Sequence, residues 1–388
     1  MRHIAMRALV VALTLLAVAA PARAEAPRDF AAEAKLMYRA VACGGDAALP
    51  PELDPQLIAK HCQTIAPWFA KLQRTYVEPA GPFLAGLRPS GLPTTVVYPF
   101  GGGDLLSALI TFPDATEITT LSLEHAGDPS RLTSASPRQL KAALATYRGA
   151  LRELFAHHDS ASENMRKLER GAVPGQLGFF LAALVALGYE PVSLRFFALE
   201  PDGAVRYLTA TEIAASRGVA KRKRRSWVDT DFAPAYTNSE LTFRKAGDPS
   251  ARVITHRHIA ADLSDGPLAG SPVWAYLTAR GPIVAMTKAA SYLLWLGSFS
   301  TIRGYLLDRA TWMISDSTGV PPRFARKAGF TQTTYGRFAG SFLPAGAGDN
   351  DAFRTLWAKQ PRRPLPFRYG YPDSEGRYHL MVTMRGTP

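Results

Sequence analysis

Asp104, Glu124, Asp262, Lys288, Asp316 and Ser317 are the residues whose types and positions could do chemistry, because each stands at or just past the end of a β-rich run. Open α/β sheets bind ligands at the carboxyl ends of their strands. Carboxylates grouped with a lysine can carry general acid/base work or hold a hard cation. Asp104, Asp262 and Asp316 are therefore the candidate catalytic set. The candidate ligand-binding set is Gly101, Gly102, Gly103, Glu124, Lys288 and Ser317. The competing reading of any one of them is ordinary, since Asp and Ser at strand ends cap helices or close turns. Only convergence of several on one place would make a site.

The glycines carry the clearest local signal. Thr94–Tyr98 is β-rich and ends at Pro99, Gly101-Gly102-Gly103-Asp104 follows, and Leu105–Phe112 is apolar. A second β-rich run, Glu117–Leu123, ends at Glu124. Strand, glycine turn, helix and strand make a βαβ unit with parallel strands. Glycines there let backbone approach a ligand, and the amides of a helix start attract anions. Glu124 falls where a nucleotide fold keeps its ribose-binding acid. In isolation the unit resembles the opening of a class I methyltransferase or dinucleotide fold. It departs from both: Leu105 and Leu106 stand where the third fingerprint glycine would be, and Pro99 stands where a methyltransferase has an acid. No cofactor is expected, and a Rossmann-like shape without one is the better reading.

His256, His258 and Asp262 lie at even spacing in a β-like run, so they would share one strand face. Two imidazoles and a carboxylate suit zinc, which is kept as an alternative to a plain polar strand face. His157-His158-Asp159 reads as a helix end. Cys43 and Cys62 are the only cysteines; an isolated pair in an oxidising compartment reads as a disulfide. His61 beside Cys62 could suggest a nucleophile, but adjacency in sequence does not create that geometry. No GxSxG elbow and no Walker loop occurs.

Around these residues the elements alternate. Ala32–Ala40 and Pro55–Arg74 read as a helical hairpin broken by Pro50-Pro51. Ser136-Pro137-Arg138-Gln139 is a helix start with cap, N1 proline and capping-box glutamine. Leu177–Leu187 is an apolar helix, and Val192–Leu199 with Ala204–Leu208 a hairpin about Pro201-Asp202-Gly203. Residues 211–250 are the least regular. Val253–Asp262 returns to strand, Ser271-Pro272 starts a helix, Ile283–Met286 and Thr311–Ser315 are strands, and Lys288–Leu296 and Phe299–Asp308 are helices. Phe367–Thr383 reads as a hairpin turning near Asp373–Gly376. The fold class is α/β, a Rossmann-like parallel or mixed sheet with flanking helices and an N-terminal helical hairpin. The domains are a signal peptide at 1–24, a helical extension with the disulfide at 25–90, and one α/β domain at 91–388.

The first residues predict export. Arg2, His3 and Arg7 precede the apolar run Ala8–Ala20, and Ala22-Arg23-Ala24 is a small-x-small cleavage pattern. The expected location is the periplasm or the extracellular medium, with cleavage after Ala24 and no transmembrane anchor left. The chain has 388 residues, 47% hydrophobic and 20% charged, with a formal net charge of +13. This is a globular composition, and its basic balance favours anionic partners. The dense run Lys221-Arg222-Lys223-Arg224-Arg225 reads as a solvated loop or as a dock for an anionic envelope polymer. Nucleic acid is not expected, because Trp227 is the run's one aromatic neighbour for stacking.

The runs Val97-Tyr98-Pro99-Phe100-Gly101-Gly102-Gly103-Asp104, Lys288-Ala289-Ala290-Ser291-Tyr292-Leu293 and Asp316-Ser317-Thr318-Gly319 resemble an uncharacterised family of secreted bacterial proteins. The likeness spans most of 94–383 and implies export and one shared domain, with no catalytic residue to carry over. The expected function is binding of an envelope-associated ligand in a polar pocket at the strand ends. The alternatives are a cofactor-free hydrolase using the aspartates and a degenerate Rossmann or methyltransferase-like transferase.

Overall fold

A computed structural model describes residues 25–157, 168, 171–216, 233–338, 349–370 and 378–386. Residues 1–24, His158, Asp159, the basic run Lys221–Arg225 and the turn Asp373–Gly376 lie outside the described residues. Ten strands form one mixed sheet: β1 (Thr95–Pro99), β2 (Glu117–Ser122), β3 (Tyr189–Leu199), β4 (Val205–Tyr207), β5 (Asn238–Lys245), β6 (Ile254–Ala260), β7 (Ile283–Thr287), β8 (Ala310–Ser315), β9 (Phe330–Gly336) and β10 (His379–Arg385). Their order is β4-β3-β5-β6-β2-β1-β7-β8-β10-β9.

The five central strands, β6 to β8 in that order, are parallel. The first βαβ unit forms as the sequence predicts, with α4 (Leu105–Thr111) between β1 and β2 and Val96 opposite Ile118. The chain winds outward from β1 to β2 and β6, then returns to place β7 on the other side of β1. That reversal between β1 and β7 is the topological switch point of a doubly wound sheet. Antiparallel strands close both flanks, β5, β3 and β4 beyond β6, and β10 and β9 beyond β8.

Side-chain alternation divides the core into two layers. Val96, Tyr98, Val284, Met286, Trp312 and Ile314 join one apolar cluster, while Val97, Ile283, Ala285 and Met313 join the other. The first layer contains α1 (Ala31–Ala40), α2 (Pro55–Leu72), α3 (Glu78–Leu87) and the helices Pro137–His157 and Gly175–Leu187. Met37, Ile58, Ile65, Tyr76 and Leu84 are part of it, so the N-terminal helices wall the sheet's own core. Asp54 caps α2 by accepting from the Gln56 and Leu57 amides. Cys43 and Cys62 are bridged. His61 is held beside the bridge: its Nε2–H donates to the Val41 carbonyl at 2.8 Å, and Arg148 donates to its Nδ1 at 3.3 Å. No nucleophilic cysteine exists here. The capping box at Ser136 and Gln139 also forms.

Three expectations change. β5 lies in the stretch read as irregular; its alternation is short, with only Leu241 and Phe243 apolar between Glu240, Thr242 and Arg244, and the buried Glu240 carboxylate is paired with Arg195 and Arg257. Residues 289–295 are a 3-10 helix. In the tail, the described residues 367–370 form no strand: β10 pairs with β8 and β9, the Tyr369 carbonyl accepts from the His379 amide at 3.2 Å, and Pro361, Pro364 and Pro366 keep the segment before it out of the sheet by removing amide donors. Among the described residues no helix is long and apolar enough to cross a membrane.

Candidate functional site

The carboxyl ends of β1, β7 and β8 bring buried polar side chains together at the switch point. Asp104 follows the glycine turn after β1 and caps α4, its Oδ1 accepting from the Ser107 amide at 3.1 Å. Its Oδ2 accepts from Lys288 Nζ at 3.0 Å and from the Tyr98 hydroxyl at 3.0 Å. Lys288, one residue past β7, also donates to Ser107 Oγ at 3.2 Å. Ser107 Oγ is 3.0 Å from the Tyr76 hydroxyl, and the Tyr369 ring lies 5.2 Å from Lys288 Nζ. Asp104 and Lys288 are each 1% exposed.

Asp316 and Ser317 follow β8 and are equally buried. Asp316 Oδ1 accepts from the Thr318 amide at 2.8 Å and from its hydroxyl, closing a local turn. Ser317 Oγ stands 2.9 Å from His379 Nε2, at the start of β10. Gly370 covers this pair at close range: a Cβ there would lie 2.7 Å from Asp316 Cβ and 2.8 Å from His379 Nε2. Burial raises the Tyr98 and Tyr369 hydroxyls well above their ordinary pKa, and the negative charges of Asp104 and Asp316 raise both further. Burial likewise takes Tyr76 to about 12. The three phenols therefore remain protonated donors at neutral pH.

The predicted site residues are only partly brought together. Asp104, Lys288 and Asp316 gather around Tyr98 and Tyr369, and Ser317 lies next to Asp316 against His379. Glu124 belongs one strand further along, where its carbonyl accepts from His258 Nε2 at 2.7 Å. Asp262 is a correction: it is exposed and accepts from the Ser264 amide at 2.9 Å, closing its own turn away from the cluster. The glycine turn is a second correction. A Cβ on Gly101 would lie 2.7 Å from the Tyr98 ring, and one on Gly103 would lie 2.7 Å from Phe179. These glycines admit the protein's own rings, and Gly102 supplies a φ of +49°. The anion at the start of α4 is the chain's own Asp104.

The histidine pair does share a strand face, but Asp262 does not join it. His256 and His258 are fully buried against Phe180, with ring centroids at 4.4 and 5.6 Å. Thr120 Oγ1 lies 2.9 Å from His256 Nε2 and 3.1 Å from His258 Nδ1. The proton order follows. His258 Nε2 must donate to the Glu124 carbonyl, so its Nδ1 accepts from the Thr120 hydroxyl, whose oxygen accepts from His256 Nε2–H. Burial lowers both imidazole pKa values, His256 the further. Among the described residues no set of three metal-ligating side chains is assembled.

Phe100 takes φ +61° directly after β1, a conformation that a bulky side chain adopts at a cost. Sequence reading missed Tyr76, Ser107, Tyr369 and His379. Tyr76 and Tyr369 come from helix and coil far from the turn, without a spacing signal, whereas Ser107 sits at the N3 position after a capping Asp and was readable. Fold and site together define a doubly wound α/β protein with a buried acid–lysine–tyrosine cluster at its switch point. Compared with known proteins, the chain matches no family model, no curated protein and no solved structure.

Proposed function

We propose that the chain is an exported binding protein that holds a polar small ligand at the carboxyl ends of β1, β7 and β8. One observation carries this reading: the Asp104–Lys288 pair, 1% exposed on both sides, stands at the switch point where doubly wound sheets take ligands. A buried ion pair is poor evidence for stability, because desolvation offsets its attraction. Phe100 adds backbone strain at the same strand end. Export is supported by the leader pattern and by the Cys43–Cys62 bridge, which suits an oxidising compartment.

A cofactor-free hydrolase is the second reading, favoured by Ser317 and His379 at 2.9 Å, within reach for a nucleophile and its base. The transferase reading has the doubly wound order on its side and the filled glycine turn against it.

The test is a thermal-shift screen of the mature chain against saccharides, amino acids, nucleotides and metal ions, run in parallel on Lys288→Met. A ligand of the native state raises the midpoint by mass action. The expected result is a ligand that shifts the parent and leaves Lys288→Met unmoved. A shift of equal size in both proteins would place the binding elsewhere.

A further inference from the structure

The edge strand β9 is antiparallel to β10 and so parallel to β8, which puts its carboxyl end on the same side of the sheet as the buried cluster. There, residues 337–338, the helix Asn350–Lys359 and residues 360–363 enclose a cleft of about 390 Å³. Arg337, Arg354, Arg362 and Arg363 line it beside Phe338 and Trp357, and among the described residues no carboxylate does.

The nearby charges do not neutralise these guanidinium groups. Arg354 is 3.8 Å from Asp351, with both side chains largely exposed. Asp349 is taken by Arg323 at 2.9 Å. Lys359, at the end of the same helix, adds another positive charge. Arg337, Arg362 and Arg363 have no acidic partner among the described residues. Arg363 is held in place, its Nη1 donating to Gln360 Oε1 at 3.1 Å while its carbonyl accepts from the Gly336 amide at 2.8 Å. Arg354 lies over the Phe338 ring at 5.6 Å. Like charges gathered on one wall repel one another, and guanidinium forks match phosphate and carboxylate oxygens two at a time.

We propose that this cleft binds a multivalent oxyanion, a ligand bearing two or more phosphate or carboxylate groups. The site is separate from the Asp104–Lys288 cluster. The Phe338 and Trp357 rings stand between the cleft and His379, with centroids 6.4 and 6.1 Å from the imidazole.

The experiment is calorimetric titration of the full chain with tripolyphosphate and, separately, with citrate. The expected result is saturable binding of at least one of them, with the tighter binder identifying the anion class. Arg337→Glu/Arg362→Glu is expected to weaken it by about tenfold or more, and the gentler Arg337→Gln/Arg362→Gln by less. A control reverses charge in the other basic cleft, of about 540 Å³, with Lys71→Glu/Arg152→Glu. That control and the charge-neutral pair Asp104→Asn/Lys288→Met are expected to change the affinity less than about twofold. Loss of equal size in both charge reversals marks a diffuse basic surface and overturns the proposal, as does the lack of saturable binding by either anion. Failure of a folded Asp104→Asn/Lys288→Met to bind would instead move the anion to the strand-end cluster and likewise overturn a separate site.

Discussion

Two buried polar groups on the same face of the sheet solve the same problem in opposite ways. At the ends of β1 and β7, Asp104 meets Lys288 and the burial of one charge is answered by the other. On β6, His256 and His258 stand among Phe180 and Thr120 without an ion pair among the described residues; the Glu124 charge opposes the shift at His258, yet burial outweighs it and lowers both pKa values so that they stay neutral. Where a charge is kept inside at the expense of desolvation, a use for it is expected; where it is given up, packing explains the residue. That contrast separates the candidate site from the rest of the interior.

The largest effect should come from breaking the charged group. Lys288→Met leaves the Asp104 carboxylate buried without its countercharge and is expected to cost about 3–5 kcal/mol in urea unfolding. A loss below about 1 kcal/mol would show that the pair is not electrostatically engaged.

Removing the bridge with Cys43→Ser/Cys62→Ser should cost about 3 kcal/mol by loosening the unfolded chain. Because it acts on the unfolded state, it should shift both regions alike and leave the pH dependence of stability unchanged. A changed pH slope would show that the bridge shapes the native histidine environment.

The neutral group should announce itself in acid. The folded pKa of each histidine lies below the unfolded value of about 6.5, so the unfolded state binds more protons beneath that pH. Stability is then full above about pH 6.5 and falls by up to about 1.4 kcal/mol per pH unit for each histidine as the pH drops. His256→Gln/His258→Gln should flatten this slope, apart from a residue of the same sign from His61, whose pKa burial also lowers. An unchanged slope in the double variant would remove the distinction between the two groups.

The smallest effect sharpens the charged side. Gly101→Ala presses a methyl group on the Tyr98 ring and should cost about 1–2 kcal/mol by overpacking. It should be non-additive with Tyr98→Phe, since both act on the hydroxyl that donates to Asp104. Additivity would mean that the turn and the cluster are independent.

The fold was largely legible because apolar alternation and punctuation are local. Pro99, the glycine turn and Pro113 bounded the first βαβ unit, and Ser136 with Gln139 marked a helix start that forms as written. β5 was hidden because only Leu241 and Phe243 carry its apolar phase, and Ser239 stands where a third apolar residue would extend it. The site was legible only in its strand-end half. Asp104, Lys288, Asp316 and Ser317 follow from strand boundaries alone. Asp262 follows from the same rule and fails it, because β6 ends at Ala260 and its Asp sits in the turn beyond. Tyr76, Tyr369 and His379 arrive by tertiary packing from three distant segments, which no local pattern encodes.

The central claim is that the Asp104–Lys288 pair is kept for a ligand and not for the fold. Urea unfolding of Asp104→Asn/Lys288→Met tests it directly, because Asn retains the α4 cap and the Tyr98 hydroxyl can turn to accept. The account predicts a double variant within about 1 kcal/mol of the parent despite the large loss in Lys288→Met alone. A double variant that stays more than about 3 kcal/mol below the parent would contradict it and make the pair a structural one.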